Sequence, residues 1–133
     1  MSDKTFIDSN IFLYAFSTAD ADKQKKAKDI VLAGTVISPQ VINEVSVNMI
    51  KKLGLSENQV TDFIISCYNR YEIIDLKKEI FITASSIRAN YKFSYYDSLI
   101  LSAASEGGCE ILYSEDMQHN FYYEKVKIIN PFL

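Results

Sequence analysis

The sequence predicts an α/β fold with a mainly parallel central sheet of four or five strands, and three observations predict it. Short apolar runs recur along the chain: residues 4–7, Thr35-Val36-Ile37, Glu72-Ile73-Ile74-Asp75-Leu76, Ile111-Leu112-Tyr113 and Val126-Lys127-Ile128-Ile129. Between most of them lie longer stretches with apolar residues at helical spacing, and strands alternating with helices imply crossover units. Punctuation residues sit where such units need them: Ser38-Pro39, Ser56 and Ser94 as helix starts, Gly54 and Gly107-Gly108 as stops.

In order, the first strand at 4–7 leads through Asp8-Ser9-Asn10 into a short helix over 10–16. Ala21 to Leu32 sets Ala27, Ile30 and Val31 against many lysines, the pattern of an amphipathic helix. The second strand, Thr35–Ile37, stops at Ser38-Pro39, and proline loses nothing at a first helical position. That helix runs to Leu53. Ser56 opens the next, with Val60, Phe63, Ile64 and Cys67 on one side. The third strand is Glu72–Leu76, followed by a helix over Lys77–Asn90. A helix from Ser94 carries Leu99, Ile100, Ala103 and Ala104. Strands at Ile111–Tyr113 and Val126–Ile129 complete the set, the last ended by Asn130-Pro131.

The chain has 133 residues, 48% hydrophobic and 23% charged, which predicts one globular domain over 1–133 and excludes disorder. No apolar stretch approaches ~20 residues, so a membrane span is not expected. Met1-Ser2-Asp3-Lys4 lacks the basic and apolar regions of a secretory signal. Cys67 and Cys109 have no metal-ligand spacing and read as buried free thiols, which points to the cytoplasm. A net charge of −3 argues against capture of nucleic acid by the surface as a whole. Any nucleic acid bound here needs bound cations to supply positive charge.

Four acids stand at comparable places. Asp8 closes the first strand, Glu44 lies early in the Pro39 helix, Asp97 lies in the first turn from Ser94, and Asp116 follows the fourth strand. Each has an ordinary explanation. Asp8 and Asp116 suit helix caps or turns, Asp97 the glutamate place of a capping box, and Glu44 a solvated polar face. Together they point elsewhere, because the carboxyl edge of a parallel sheet gathers such places. Two carboxylates ~4 Å apart repel by roughly 4 kcal/mol at an effective dielectric near 20. Protonation or a cation must relieve that. Oxygen-loving Mg²⁺ or Mn²⁺ suits an all-carboxylate set, whereas one histidine and no cysteine pair suit zinc poorly. Such an ion could activate water and offset charge on a phosphodiester.

The pieces that carry these acids resemble the PIN-domain ribonucleases, in particular the short VapC-like toxins. They are Phe6-Ile7-Asp8-Ser9-Asn10-Ile11-Phe12-Leu13, Ile37-Ser38-Pro39-Gln40-Val41-Ile42-Asn43-Glu44, Tyr96-Asp97-Ser98-Leu99-Ile100, Ile111-Leu112-Tyr113-Ser114-Glu115-Asp116 and Val126-Lys127-Ile128-Ile129-Asn130-Pro131. Order and spacing together carry the likeness across nearly the whole chain. It implies a three-layer α/β/α sandwich and an acidic metal-binding quartet of Asp8, Glu44, Asp97 and Asp116. It makes Ser114 a hydroxyl that orients water or a carboxylate, and Asn10 a polar group buttressing Asp8. The hydroxyl-x-Asp pattern favours Asp116 over its neighbour Glu115. The implied activity is Mg²⁺- or Mn²⁺-dependent endoribonuclease, the toxin of a toxin–antitoxin pair, with a homodimer and an antitoxin as partners.

His119, between Gln118 and Asn120, reads as a surface residue and is given no catalytic role. The nine tyrosines could stack on bases, but packing accounts for most. A receiver-like phospho-acceptor would want an acidic pair beside the first strand, and a haloacid-dehalogenase-like phosphatase a second aspartate where Asn10 stands. A housekeeping nuclease, or a non-catalytic module with the same fold, remains the alternative.

Overall fold

The computed structural model describes residues 4–133; Met1-Ser2-Asp3, read above for a targeting signal and within the 1–133 domain, lie outside the described residues. The elements are β1 (Thr5–Ile7), α1 (Ser9–Phe16), α2 (Ala21–Ala33), β2 (Val36–Ile37), α3 (Pro39–Lys51), α4 (Glu57–Arg70), β3 (Glu72–Ile73), α5 (Lys78–Tyr91), α6 (Tyr95–Glu106), β4 (Ile111–Tyr113), β5 (Tyr122–Tyr123) and β6 (Val126–Ile129). They form one sheet in the order β3-β2-β1-β4-β6-β5. All neighbours pair in parallel except β5 with β6. The α/β class and the mainly parallel sheet are as the sequence predicts.

The strand count is not. Six strands stand where four or five were expected, because Tyr122–Tyr123 turns back through Glu124, at φ 50°, and pairs antiparallel with β6. Two residues carry too little pattern to reveal a strand. β3 is shorter than expected, ending at Ile73, because its partner β2 is itself two residues long.

Sheet topology decides where chemistry can sit. Connections from β1 to β2 to β3 all step in one direction through α1–α2 and α3–α4, whereas α5–α6 returns the chain past β1 to β4. Right-handed crossovers therefore put α1–α4 on one face and α5–α6 on the other. Helix packing agrees: α1 packs on α2 and α3, α3 on α4, and α5 on α6. The order reverses between β1 and β4, and in open α/β sheets the crevice beyond such a reversal is where ligands bind.

Local chemistry fixes the ends of the elements. Pro39 occupies a first-turn position of α3, and Ser56 with Gln59 forms a reciprocal capping box on α4. A Cβ on Gly34, just after α2, would run into the buried side chain of Ile7, so a larger residue there would have to displace that core side chain of β1. Phe6, Ile7, Val36, Ile37, Leu112 and Ile128 are fully buried, giving a core continuous through the middle strands. Cys67 and Cys109 are free and buried, and burial pushes both thiols up to about 12. They are packing residues.

Candidate active site

Asp8 leaves the carboxyl end of β1 and caps α1, its Oδ1 accepting from the Ser9 amide at 2.7 Å. A cap alone would sit in water. Asp8 is buried instead, and its Oδ2 accepts from the fully buried Ser114 hydroxyl at 2.8 Å. Ser114 holds that place because its own amide donates to Ile129 O, while the Asp8 amide donates to Tyr113 O. The two strands flanking the reversal thus clamp one carboxylate between them.

Burial raises Asp8 from the ordinary 3.8 to about 6. The Ser114 hydroxyl and Ser9 amide work against that rise, and the charges of Glu44 and Asp97 add to it. Asp97, half-buried in the first turn of α6, is also raised, first by burial; Ser94 opposes this, and Asp116 and Glu44 reinforce it. Its amide donates to the Ser94 hydroxyl at 3.1 Å, the expected cap of α6.

Glu44 is not a solvated glutamate. Its Oε2 accepts from the Ser9 hydroxyl at 2.8 Å and its Oε1 from Gln40 Nε2 at 3.1 Å. Gln40 also donates to Tyr96 O at 3.2 Å, tying α3 to the start of α6. Asp116 is exposed in the loop after β4 and accepts from Asn10 Nδ2. Asn10 therefore holds Asp116 rather than buttressing Asp8, since α1 presents it toward the loop after β4.

Glu115 and Asp116 separate cleanly. Glu115 accepts from the Tyr14 hydroxyl at 2.7 Å and pairs with Lys23 at 3.1 Å. That bond to Glu115 is also the main reason the Tyr14 hydroxyl is pushed above its ordinary range. Asp116 instead acts on Asp97 and Asn10. His119, read from the sequence as a surface residue, accepts the Asn130 amide at its Nδ1, 2.9 Å away, and so ties its loop to the chain just after β6.

The mutual effects on Asp8 and Asp97 bring all four sequence-predicted acids into one electrostatic group, with Ser114 and Asn10 bonded to members of it. Among the described residues none of the four has an ion-pair partner. Among the described residues, too, no three acid, histidine or cysteine side chains are arranged to hold one ion as they stand. Serine, asparagine and glutamine donors take up the carboxylate oxygens instead. The set fits a hard divalent cation by donor type and uncompensated charge, not by preformed convergence. Sequence reading missed Ser9 and Gln40. Gln40 was legible as an i, i+4 neighbour of Glu44 on one helix; the Ser9 hydroxyl reaches across elements and left no local signal.

The acidic edge lies at the reversal of a parallel α/β sheet, the place where such folds bind their ligands. The PIN-domain family model matches residues 5–124, and the chain belongs to that family. Solved structures share the fold. A toxin–antitoxin complex from Klebsiella pneumoniae superposes with a TM-score of 0.73 at 22% identity, covering 96% of this chain and 98% of that one. Mycobacterium tuberculosis VapC20, described as a sarcin–ricin-loop-cleaving toxin, gives 0.69 at 15% identity, covering 85% and 90%. VapBC2 from Rickettsia felis, bound to a promoter DNA fragment, gives 0.65 at 18%, covering 93% and 96%. No curated protein matches by sequence. At these identities the structures speak for fold.

Proposed function

We propose that residues 1–133 form a single nuclease domain that hydrolyses RNA phosphodiester bonds with Mg²⁺ or Mn²⁺ and acts in the cytoplasm as the toxin of a toxin–antitoxin pair. The observation that carries this reading is the set of four acids whose charges act on one another at the sheet reversal, with no ion-pair partner among the described residues. Membership of the PIN-domain family and a fold shared with toxin–antitoxin structures support it. A homodimer and a cognate antitoxin as partners follow from the same likeness. Among the described residues no helix is long and apolar enough to cross a membrane.

Asp8, Glu44, Asp97 and Asp116 would hold the cation, which when bound supplies the positive charge needed beside a phosphodiester and its attacking water. The chain's own residues prepare the rest. Ser114 and the Ser9 amide hold both oxygens of Asp8 and favour its ionised form. Asn10 fixes Asp116 on the far side. Glu44, held at both oxygens by Ser9 and Gln40, is the carboxylate we assign to orienting the water opposite the leaving oxygen. In that displacement the water oxygen bonds to phosphorus, one P–O ester bond breaks, and the departing oxygen takes a proton.

The test is direct. The purified chain with Mn²⁺ should cut single-stranded RNA internally and stop on chelation. RNA left intact under all divalent conditions, with the chain folded, would favour the non-catalytic module instead.

A further inference from the structure

Beside the acids, between α1 and the end of α3, lies a hollow of about 200 Å³ lined by Asn10, Leu13, Tyr14, Ser17, Lys52 and Leu53. Asn10 is common to both places: its amide bonds Asp116 while it walls the hollow, so whatever fills the hollow lies next to the acid edge. The size is below the roughly 300–1,000 Å³ of pockets for drug-sized ligands, which suits a single ring system rather than a folded element.

The walls combine two leucines and an aromatic ring with one cation. Tyr14 is held in place before anything binds. Its hydroxyl donates to Glu115 at 2.7 Å, Phe132 packs edge-on at 4.9 Å between centroids, and Lys23 lies 4.7 Å from its ring. A fixed aromatic surface loses little freedom on binding. Lys23 is committed to Glu115, whereas exposed Lys52 has no ion-pair partner among the described residues. An apolar and aromatic slot with a free ammonium beside it matches the parts of an unpaired nucleotide, a flat base attached to a phosphate.

We propose that this hollow is the subsite for one unpaired nucleotide of the RNA strand, its base against Leu13, Tyr14 and Leu53 and a flanking phosphate on Lys52. It rests on the nuclease reading and adds a place to it: one base of the strand is gripped by stacking in the hollow that Asn10 shares with the acid edge. Stacking tolerates any base, because each has a π-face.

Binding of a short fluorescein-labelled single-stranded RNA, with Ca²⁺ in place of Mn²⁺, is compared with binding of the same-length abasic ribose-phosphate strand. The wild-type chain should hold the ordinary strand at least about tenfold more tightly, the effect of losing stacked bases. Lys52→Gln should weaken the ordinary strand severalfold and flatten the salt slope by about 0.7, the share of one single-strand phosphate contact. Lys125→Gln, between β5 and β6, should change neither. Equal binding of the two strands, or wild-type affinity and salt slope in Lys52→Gln, overturns the subsite; the latter would suit a hollow that receives a protein segment. Asp8→Asn keeps the two ideas apart: cleavage surviving in it sinks the metal-nuclease assignment, whereas the subsite stands or falls on binding alone.

Discussion

At the amino end of the sheet, Lys4 ahead of β1 lies 3.0 Å from Glu72 at the start of β3 and donates to Gly107 O at 3.4 Å. Charge there is paired, half exposed and local. At the carboxyl end, four acids from four segments act on one another with no lysine or arginine paired to them among the described residues. The same contrast is repeated over one peptide bond. Glu115 is neutralised by Lys23, whereas the charge of Asp116 acts on Asp97. Opposite charge is available to this chain and is used elsewhere, so its lack at the carboxyl end is a property of the site. Stability would favour pairing; a place for a cation and an anionic substrate would not.

The largest consequence lies at the unpaired end. Asp8→Asn should keep the fold and lower RNA cleavage by roughly 10³-fold, as loss of a charge-stabilising group does; undiminished turnover with added Mg²⁺ would erase the contrast.

Next comes pH. Asp8 titrates near 3.8 when unfolded and at about 6 when folded, so between those values the folded chain holds a proton that the unfolded chain has lost. Stability without divalent cations should therefore fall as pH rises through that window, by about 3 kcal/mol from this group. Denaturant melts at several pH values would read it, and the Asp8→Asn chain should lose this contribution. A wild-type chain that gains stability over pH 4–6 relative to Asp8→Asn would contradict the burial argument.

A smaller effect is expected at Ser114. Ser114→Ala frees Asp8 Oδ2 and should reduce activity or Mn²⁺ affinity by roughly 10–100-fold, the usual range for groups that orient a ligand. Smallest of all, Lys4→Ala at the paired end should cost less than about 1 kcal/mol and leave cleavage untouched, because exposed ion pairs contribute little. A large loss of cleavage in Lys4→Ala would mean that the two ends are not independent.

The parts legible in the sequence were those with local signals. The helix starts at Pro39, Ser56 and Ser94 and the strands at Ile111–Tyr113 and Val126–Ile129 follow from residues adjacent in the chain. The three aspartates were legible because they follow a strand or lie in a first helical turn, places that a parallel sheet collects; Glu44, in the second turn of α3, carried no such signal and joined the set through the family resemblance. Tyr122–Tyr123 was missed because a two-residue strand exists only through its partner. The link from Asn10 to Asp116 and the pairing of Glu115 with Lys23 span about a hundred residues of sequence and depend on how α1 and α2 sit against the β4 loop. No window along the chain contains both ends of such a contact.

The measurement closest to the central claim is a Mn²⁺ titration of the wild-type and Asp97→Asn chains, followed by the electron paramagnetic resonance signal of free Mn²⁺. Shared use of the ion by the four carboxylates predicts saturable binding in the wild type, competed by Mg²⁺ and lost or greatly weakened in Asp97→Asn. Absence of saturable binding, or identical curves for the two chains, would contradict it.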